Sequence, residues 1–484
     1  MQLPKQQTVY RAFGLVVLVL LLAIVLACAV NPVTGKRELM LMSEAEEISL
    51  GKEADAQIVQ QYGLYEDPRL QEYITRIGQR MAKLSHRPHL QYQFKIMDSP
   101  IINAFAIPGG YVYVTRGILA YLNNEAELAG VLGHEIGHVA ARHSARQYSK
   151  AQLAALGLGL GSVLSEDIAR FANVAQTGLA LLFLKFSRDH ERESDRLGVE
   201  YSTKAGYDAR EMANFFATLE RMHPSPTGLP GWFTTHPSSA ERVQNVRRLA
   251  EEWQAKMGRG GWTVNRDEYL DHIDGLIFGE DPRQGYVLEG VFYHPELRFQ
   301  FVVPSGWTVQ NSPSQVQIVS PDERAAILLS LSSQPTPAAA ADEFVRQTKA
   351  VVVRAENDRV NGLPARMLVS DIAAQQGTLR VISYFIHYGG NIYVFHGLTG
   401  KLQFGNYLAT FESSIRSFRR LNDPARIHVE PKRIRIRRVS RSMTLKQALK
   451  SLGVPDDQLE DLALLNGMEL TDQITAGTRL KIVP

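Results

Sequence analysis

The sequence predicts a multidomain protein: a mainly α-helical N-terminal half with a small β-hairpin or sheet, then an α+β domain, then a compact C-terminal module. Three observations predict it. The chain has 484 residues, more than one hydrophobic core supports. Helical periodicity dominates as far as Trp253, with a single strand-rich interruption over 91–115. Composition then shifts at Gly258–Gly261 and again over Asn422–Pro431, placing boundaries near 260–285 and 432. Hydrophobic residues at 45% and charged residues at 21% exclude a largely disordered chain. A net charge of +3, from 53 basic against 50 acidic residues, gives no reason to expect a nucleic-acid partner.

The elements follow in order. Ser43 with Glu46 reads as a capping box opening a helix. Leu70, Tyr73, Ile74, Ile77 and Met81 recur at helical spacing and mark a second helix. The Pro108-Gly109-Gly110 turn precedes Tyr111-Val112-Tyr113-Val114-Thr115, a β-rich run. Asn123 or Asn124 caps a long helix running to about Gln147. Residues 151–186 are strongly apolar, but glycines and acids break them into stretches too short to span a bilayer. They read as buried helices or as a membrane-dipping or substrate-contacting hairpin. Further helices cover Ser187–Lys204 and run from a Ser238-Ser239 cap through Trp253. Residues 286–418 alternate strands with helical stretches at Ala341–Val353 and Phe404–Arg416, the pattern of an α+β domain without a catalytic constellation. Residues 432–484 imply a strand, two helices and a strand. Just inside this module Arg433, Arg435 and Arg437 share one strand face, a contact for anionic lipid or polymer or a solvated edge.

Residues 1–27 read as a targeting segment. Lys5 and Arg11 form a basic region, and Ala12–Ala27 is apolar apart from Gly14. Cys28, the only cysteine, follows Val25-Leu26-Ala27, which resembles a bacterial lipoprotein signal; an uncleaved anchor helix is the alternative. The rest of the chain is then expected in the bacterial envelope, lipid-anchored through Cys28, with Ala29 favouring the outer membrane. Loss of 1–27 removes Lys5 and Arg11 and lowers the net charge from +3 to +1. A single cysteine allows no internal disulfide.

The chemistry concentrates in His134-Glu135-Ile136-Gly137-His138. Residues four apart share a helix face, so both imidazoles can meet one metal ion. Glu135 lies about 100° round from His134, placed to take a proton from water rather than to bind metal. Gly130, Gly133 and Gly137 each cost a helix interior about 1 kcal/mol relative to Ala, which suggests that something approaches this helix closely. The third ligand is sought 53 residues beyond His138. There Glu191 and Asp195 share a face, so that one can bind metal and the other orient an imidazole from behind. Spacing alone leaves Glu193 and Asp189 as alternatives. His143 is about 140° from His138 in helical phase and reads as a supporting or surface residue.

His-Glu-x-x-His followed by Glu-x-x-x-Asp resembles the zinc metallopeptidase family of the CAAX prenyl endopeptidases, HtpX and BepA. Asn103-Ala104-Phe105, Pro108-Gly109-Gly110, Ser187-Arg188 and His236-Pro237 with Arg242 agree with it. The resemblance covers about residues 38–250 and implies a gluzincin-type metallopeptidase domain within 28–260. It implies one zinc per chain on His134, His138 and Glu191, with Glu135 as general base and Asp195 supporting a ligand. It places His236 and Arg242 at the catalytic cleft and Asn103 against substrate. The strand edge at 103–115 suits an extended peptide bound through main-chain hydrogen bonds. Residues 432–484 resemble LysM modules, which implies peptidoglycan as a partner. The expected function is a zinc endopeptidase that hydrolyses misassembled envelope proteins. The alternatives are a metal-containing chaperone or adaptor, or a peptidoglycan-tethered scaffold, with proteolysis normally off.

Overall fold

The computed structural model describes residues 28–155, 181, 186–222, 231–232, 236, 240–374 and 377–484. The expected targeting segment, most of the apolar 151–186 stretch and the Ser238-Ser239 cap lie outside them. The chain divides into two compact units. One comprises Met1–Val59, Gly63–Phe278 and Arg433–Pro484; the other comprises Gln60–Tyr62 and Gly279–Lys432.

The first unit opens on a short antiparallel pair, β1 (Cys28–Val30) and β2 (Arg37–Leu39). Helix α1 (Glu44–Tyr62) starts at the expected capping box, in which Ser43 accepts from the Glu46 amide. Helix α2 (Pro68–Ala82) buries Leu70, Tyr73, Ile74, Ile77 and Met81. The strand-rich stretch forms a three-stranded sheet of β3 (Gln93–Met97), β4 (Ala104–Ile107) and β5 (Tyr111–Thr115). Strand β5 lies in the middle, parallel to β3 and antiparallel to β4, so β4 is an edge.

A short helix α3 (Arg116–Tyr121) leads to α4 (Glu125–Ala140), whose N-cap Asn124 accepts from the Glu127 amide. Every residue of α4 is buried. The helix expected to continue to Gln147 instead breaks at Arg142, where φ is +56°, and α5 (His143–Ala155) restarts in a new direction. A left-handed residue outside glycine costs about 1–2 kcal/mol. The cost is offset by the buried Arg142 guanidinium, which donates to Glu47 at 2.8 Å and to the Met42 carbonyl at 3.0 Å.

Helices α6 (Arg188–Lys204), α7 (Arg210–Arg221), α8 (Ala240–Met257) and α9 (Arg266–Ile273) complete this part. The three glycines of α4 explain the packing. A Cβ on Gly133 would meet the backbone of Gly198 in α6 at 3.0 Å. One on Gly137 would meet Ser194 and Leu197 of α6 at 3.2 Å, and one on Gly130 would meet Met212 of α7 at 2.6 Å. What approaches the helix is therefore the neighbouring helix that carries Glu191.

The second unit holds a four-stranded antiparallel sheet of β6 (Tyr286–Leu288), β7 (Val291–His294), β8 (Phe299–Val302) and, joining later, β16 (Arg419–Arg420). Its other sheet has seven antiparallel strands: β9 (Thr308–Ser312), β10 (Gln315–Val319), β11 (Ala325–Ser332), β12 (Val351–Val360), β13 (Leu363–Ala374), β14 (Gly377–Tyr388) and β15 (Asn391–Gly400). Their order is β12-β13-β14-β15-β11-β10-β9. Helix α10 (Pro337–Thr348) stops five residues before the expected Val353. Lys349 turns left-handed, and the β-branched Val351-Val352-Val353 enters β12, as its propensity favours. Helix α11 (Phe404–Arg416) packs with both sheets around Phe292, Phe301, Phe395 and Phe411. Residues 286–418 thus form an α+β fold richer in strand than the sequence suggested.

Residues 433–484 form β17 (Arg435–Arg438), β18 (Met443–Thr444), α12 (Leu445–Ser451), α13 (Leu459–Leu465), β19 (Gln473–Ile474) and β20 (Arg479–Ile482). The expected strands and helices are there, but the segment does not stand apart. Its apolar residues share one core with α2, α4 and α9. Arg433, read from sequence as a surface contact, donates to the Gly275 carbonyl at 2.8 Å. Among the described residues no helix is long and apolar enough to cross a membrane.

Candidate metal centre

Helix α4 presents His134 and His138 on one face, as four-residue spacing dictates. Helix α6 brings Glu191 opposite them. Nε2 of His134 and Nε2 of His138 stand 3.1 Å apart. Glu191 Oε1 lies 3.4 Å from His138 Nε2, and Oε2 lies 3.5 Å from His134 Nε2. His236 completes the group: its Nδ1 is 3.3 Å from His134 Nε2 and 3.1 Å from Glu191 Oε1. Among the described residues these four form a cluster whose donor atoms all lie within 4.8 Å of one another. None is more than 2% exposed.

The cluster fits zinc. Four ligands bonded at about 2.0–2.1 Å in a tetrahedron stand about 3.3–3.4 Å apart; the five separations above run from 3.1 to 3.5 Å, with every donor pair inside 4.8 Å. Three imidazoles and one carboxylate are a donor set that zinc accepts. Without a cation, four buried polar groups would converge on one point, an arrangement folding does not favour.

The surrounding residues hold the donors. Asp195, one turn beyond Glu191, places Oδ1 2.9 Å from His134 Nδ1. Arg242 of α8 clamps Asp195 through Nε at 2.9 Å and Nη2 at 2.7 Å, and its Nη1 lies 3.2 Å from Glu191 Oε2. Its guanidinium is thus engaged with the two carboxylates that hold the imidazoles. Burial alone would raise the Glu191 carboxyl, but His236, His134 and His138 outweigh it and hold the group well below the usual range. Burial likewise opposes ionisation of Asp195, and Arg242 with His134 overcomes it.

Glu135 is different. It is fully buried, and neither carboxylate oxygen has a hydrogen-bond donor among the described residues. His236 Nε2 lies 3.4 Å from its Oε1. Burial pushes its carboxyl up, against the pull of His236 and His134. His236 is held by its own segment: the Trp232 ring stacks on it at 4.3 Å, and its amide donates to the Trp232 carbonyl at 2.8 Å. The Trp232 amide in turn donates to the Ile102 carbonyl at 2.8 Å, just before β4. Asn103 sits at that same strand entrance. Its backbone pairs with Thr115, and its buried Oδ1 has no hydrogen-bond partner among the described residues.

Residues 68–250 match the model of peptidase family M48. That segment is an M48 peptidase domain. Over 220 residues the chain is 31% identical to the beta-barrel assembly-enhancing protease of Yersinia pestis and 30% identical to that of Escherichia coli K12; each match covers 44% of this chain and 45% of the relative. It is 28% identical over 237 residues to the mitochondrial metalloendopeptidase OMA1 of Schizosaccharomyces pombe, covering 46% of this chain and 67% of that protein. The chain thus spans less than half the length of the bacterial relatives it matches.

Within the M48 domain, the structure gathers His134, His138, Glu191, His236, Glu135, Asp195 and Arg242 at one centre. The two competitors for the third ligand separate clearly. Asp189 is exposed and pairs with Arg192 at 3.0 Å, whereas Glu193 meets His143 at 3.1 Å. Of the two readings of His143, supporting or surface, its buried position 3.0 Å from His138 fits the first. Nothing in the helical period signals the break that puts it there.

Proposed function

We propose that this protein is a zinc-dependent endopeptidase, with His134, His138 and Glu191 as permanent ligands and Glu135 as general base. The observation that carries it is the Glu135 carboxylate, buried beside the four-donor cluster with neither oxygen accepting a hydrogen bond from the described residues. A purely structural metal site has no use for such a group. Bound zinc supplies Lewis acidity, polarising the scissile carbonyl and acidifying water. Glu135 accepts the proton from water as its oxygen adds to the carbonyl carbon. It then passes that proton to the amine as the carbon–nitrogen bond breaks. Asp195, fixed by Arg242, keeps the His134 ring in position. The edge of β4, which pairs with no further strand among the described residues, suits an extended peptide laid beside the centre, with Asn103 at its start.

His236 supports a latent state of the same enzyme. A tetrahedral catalytic site needs its fourth position for water, and His236 Nδ1 stands there with its other nitrogen against Glu135. We take it as a gate that substrate displaces. The substrate class is misassembled protein of the bacterial envelope, the chain being anchored at Cys28; the names of the bacterial relatives and the N-terminal sequence support this. A role for 432–484 in holding peptidoglycan rests on its LysM-like sequence.

The test is casein cleavage at matched zinc content. Glu135→Gln should keep about one zinc per chain and lose at least ~10²-fold in turnover. Glu191→Ala should lose metal and activity together. Full turnover by Glu135→Gln overturns the reading.

A further inference from the structure

The M48 ligands are not supported alike. His134 has a carboxylate directly behind it. Behind His138 there is another imidazole: its Nδ1 lies 3.0 Å from His143 Nδ1. The far nitrogen of His143, Nε2, lies 3.1 Å from Glu193 Oε2. His143 is fully buried, stacked on His190 at 4.3 Å and 17°. The side chain of Glu193 is 18% exposed.

Proton positions along this line follow from one premise. His138 turns Nε2 toward the other donors, so a metal ion takes that nitrogen and Nδ1 must carry the hydrogen. His143 Nδ1 must then accept it. A neutral imidazole with one accepting nitrogen carries its hydrogen on the other, so Nε2 donates to Glu193. Each bond fixes the next, and the line ends on an acceptor. The Ser194 hydroxyl, 3.3 Å from His143 Nδ1, can donate to the same nitrogen and compete for it.

The backbone is shaped for this contact. On an unbroken helix, residue 143 would sit about 140° from residue 138, facing away from the metal. The left-handed turn at Arg142 is what swings the His143 ring behind His138. We propose that His143 and Glu193 form a relay that positions the His138 ligand and strengthens it as a donor. It is the counterpart, through one extra imidazole, of Asp195 behind His134. Both are positioning residues; neither reaches the cleft.

The relay rests on the metal-site reading, and zinc affinity separates the two. Competition of the full chain with a fluorescent chelator should show wild type binding one zinc and His143→Ala binding it 10- to 100-fold more weakly. His143→Asn, which keeps an acceptor near the Nδ1 position, should recover part of the loss. Glu193→Ala, altered at the partly exposed end, should weaken binding by a smaller factor and stands in if His143→Ala does not fold. Adding Glu193→Ala to His143→Asn should change nothing further, because Asn no longer reaches Glu193. Wild-type affinity in both His143→Ala and Glu193→Ala overturns the relay alone. Additive losses in the double variant also overturn it. Failure of the wild type to bind zinc overturns the relay and the metal site together.

Discussion

His236 is the residue on which two chemical roles diverge most sharply. Its Nδ1 stands among the converging donors and its Nε2 faces Glu135 at 3.4 Å, a position from which either role can be filled. If it is a gate, His236→Ala raises basal casein cleavage and exposes the chain to self-cleavage. If instead it stabilises the developing oxyanion, the same change lowers turnover by ~10²-fold or more. Comparing rates at equal zinc content decides between them, and a clear fall would eliminate the gate. The sequence made His134, Glu135 and His138 legible because their geometry is set within one turn of helix. Glu191 needed only the phase of a second helix plus the family resemblance. Arg242 was placed at the cleft by resemblance without a partner, and folding binds it to Asp195 and Glu191. His143 was left between a supporting and a surface role, because helical phase holds only while the helix continues.

Between elements, the decisive contact is the approach of α4 and α6. The glycines of α4 look costly in isolation, and their use becomes clear only against α6. Gly198 lies against the backbone at the start of the zinc motif: a Cβ there would come within 2.9 Å of the His134 amide nitrogen. Backbone cannot rotate aside, so Gly198→Ala must push α6 away and carry Glu191 and Asp195 with it. The expected outcome is a loss of about 1–3 kcal/mol in stability, typical of overpacking, together with weaker zinc binding. Gly405→Ala in α11, where a Cβ meets nothing within 4 Å, serves as the control and should be neutral or slightly stabilising. Unchanged zinc affinity in Gly198→Ala would show that the ligands adapt without close helix packing. Element identity was readable wherever a cap or a period marked it, as at Ser43 and along α2. The end of α10 was not, because an alanine-rich helix runs directly into a valine-rich strand and the turn at Lys349 carries no glycine.

At the scale of the whole molecule, acid acts on the second unit through its buried histidines. In the second unit, burial lowers His294 and His396 to about 4 from the ordinary 6.5. Between those values the unfolded chain binds protons that the folded unit refuses, so stability is full above about pH 6.5 and falls as pH drops toward 4. Asp322, lowered to about 2, loses its contribution only below this window. Calorimetry of the full chain at pH 7.5 and pH 5 should show that His294→Phe and His396→Phe each reduce the acid shift; an unchanged shift in both would discard them as its source. The C-terminal segment poses the last question, because its sequence reads as a separable module and its packing does not. Lys481 is buried and donates to the Ala120 and Leu122 carbonyls at 2.7 and 2.9 Å, directly before the helix of the zinc motif. Arg266 of α9 donates to the Arg479 carbonyl at 3.1 Å; the Gly275 amide donates to the Ile434 carbonyl and the Ile434 amide to the Leu276 carbonyl, each at 2.9 Å. Sequence periodicity could give the strands and helices of 433–484 but not their docking, which depends on contacts more than 200 residues apart. Truncation after Lys432 would leave those carbonyls unpaired, at about 1–3 kcal/mol each, and uncover the apolar face that Leu480 fills. The truncated chain should therefore melt at lower temperature and bind zinc less tightly. The single change Leu480→Ala, at a fully buried position, should cost about 2–5 kcal/mol. A truncated protein with undiminished melting temperature and zinc affinity would show that the segment is a detachable module after all.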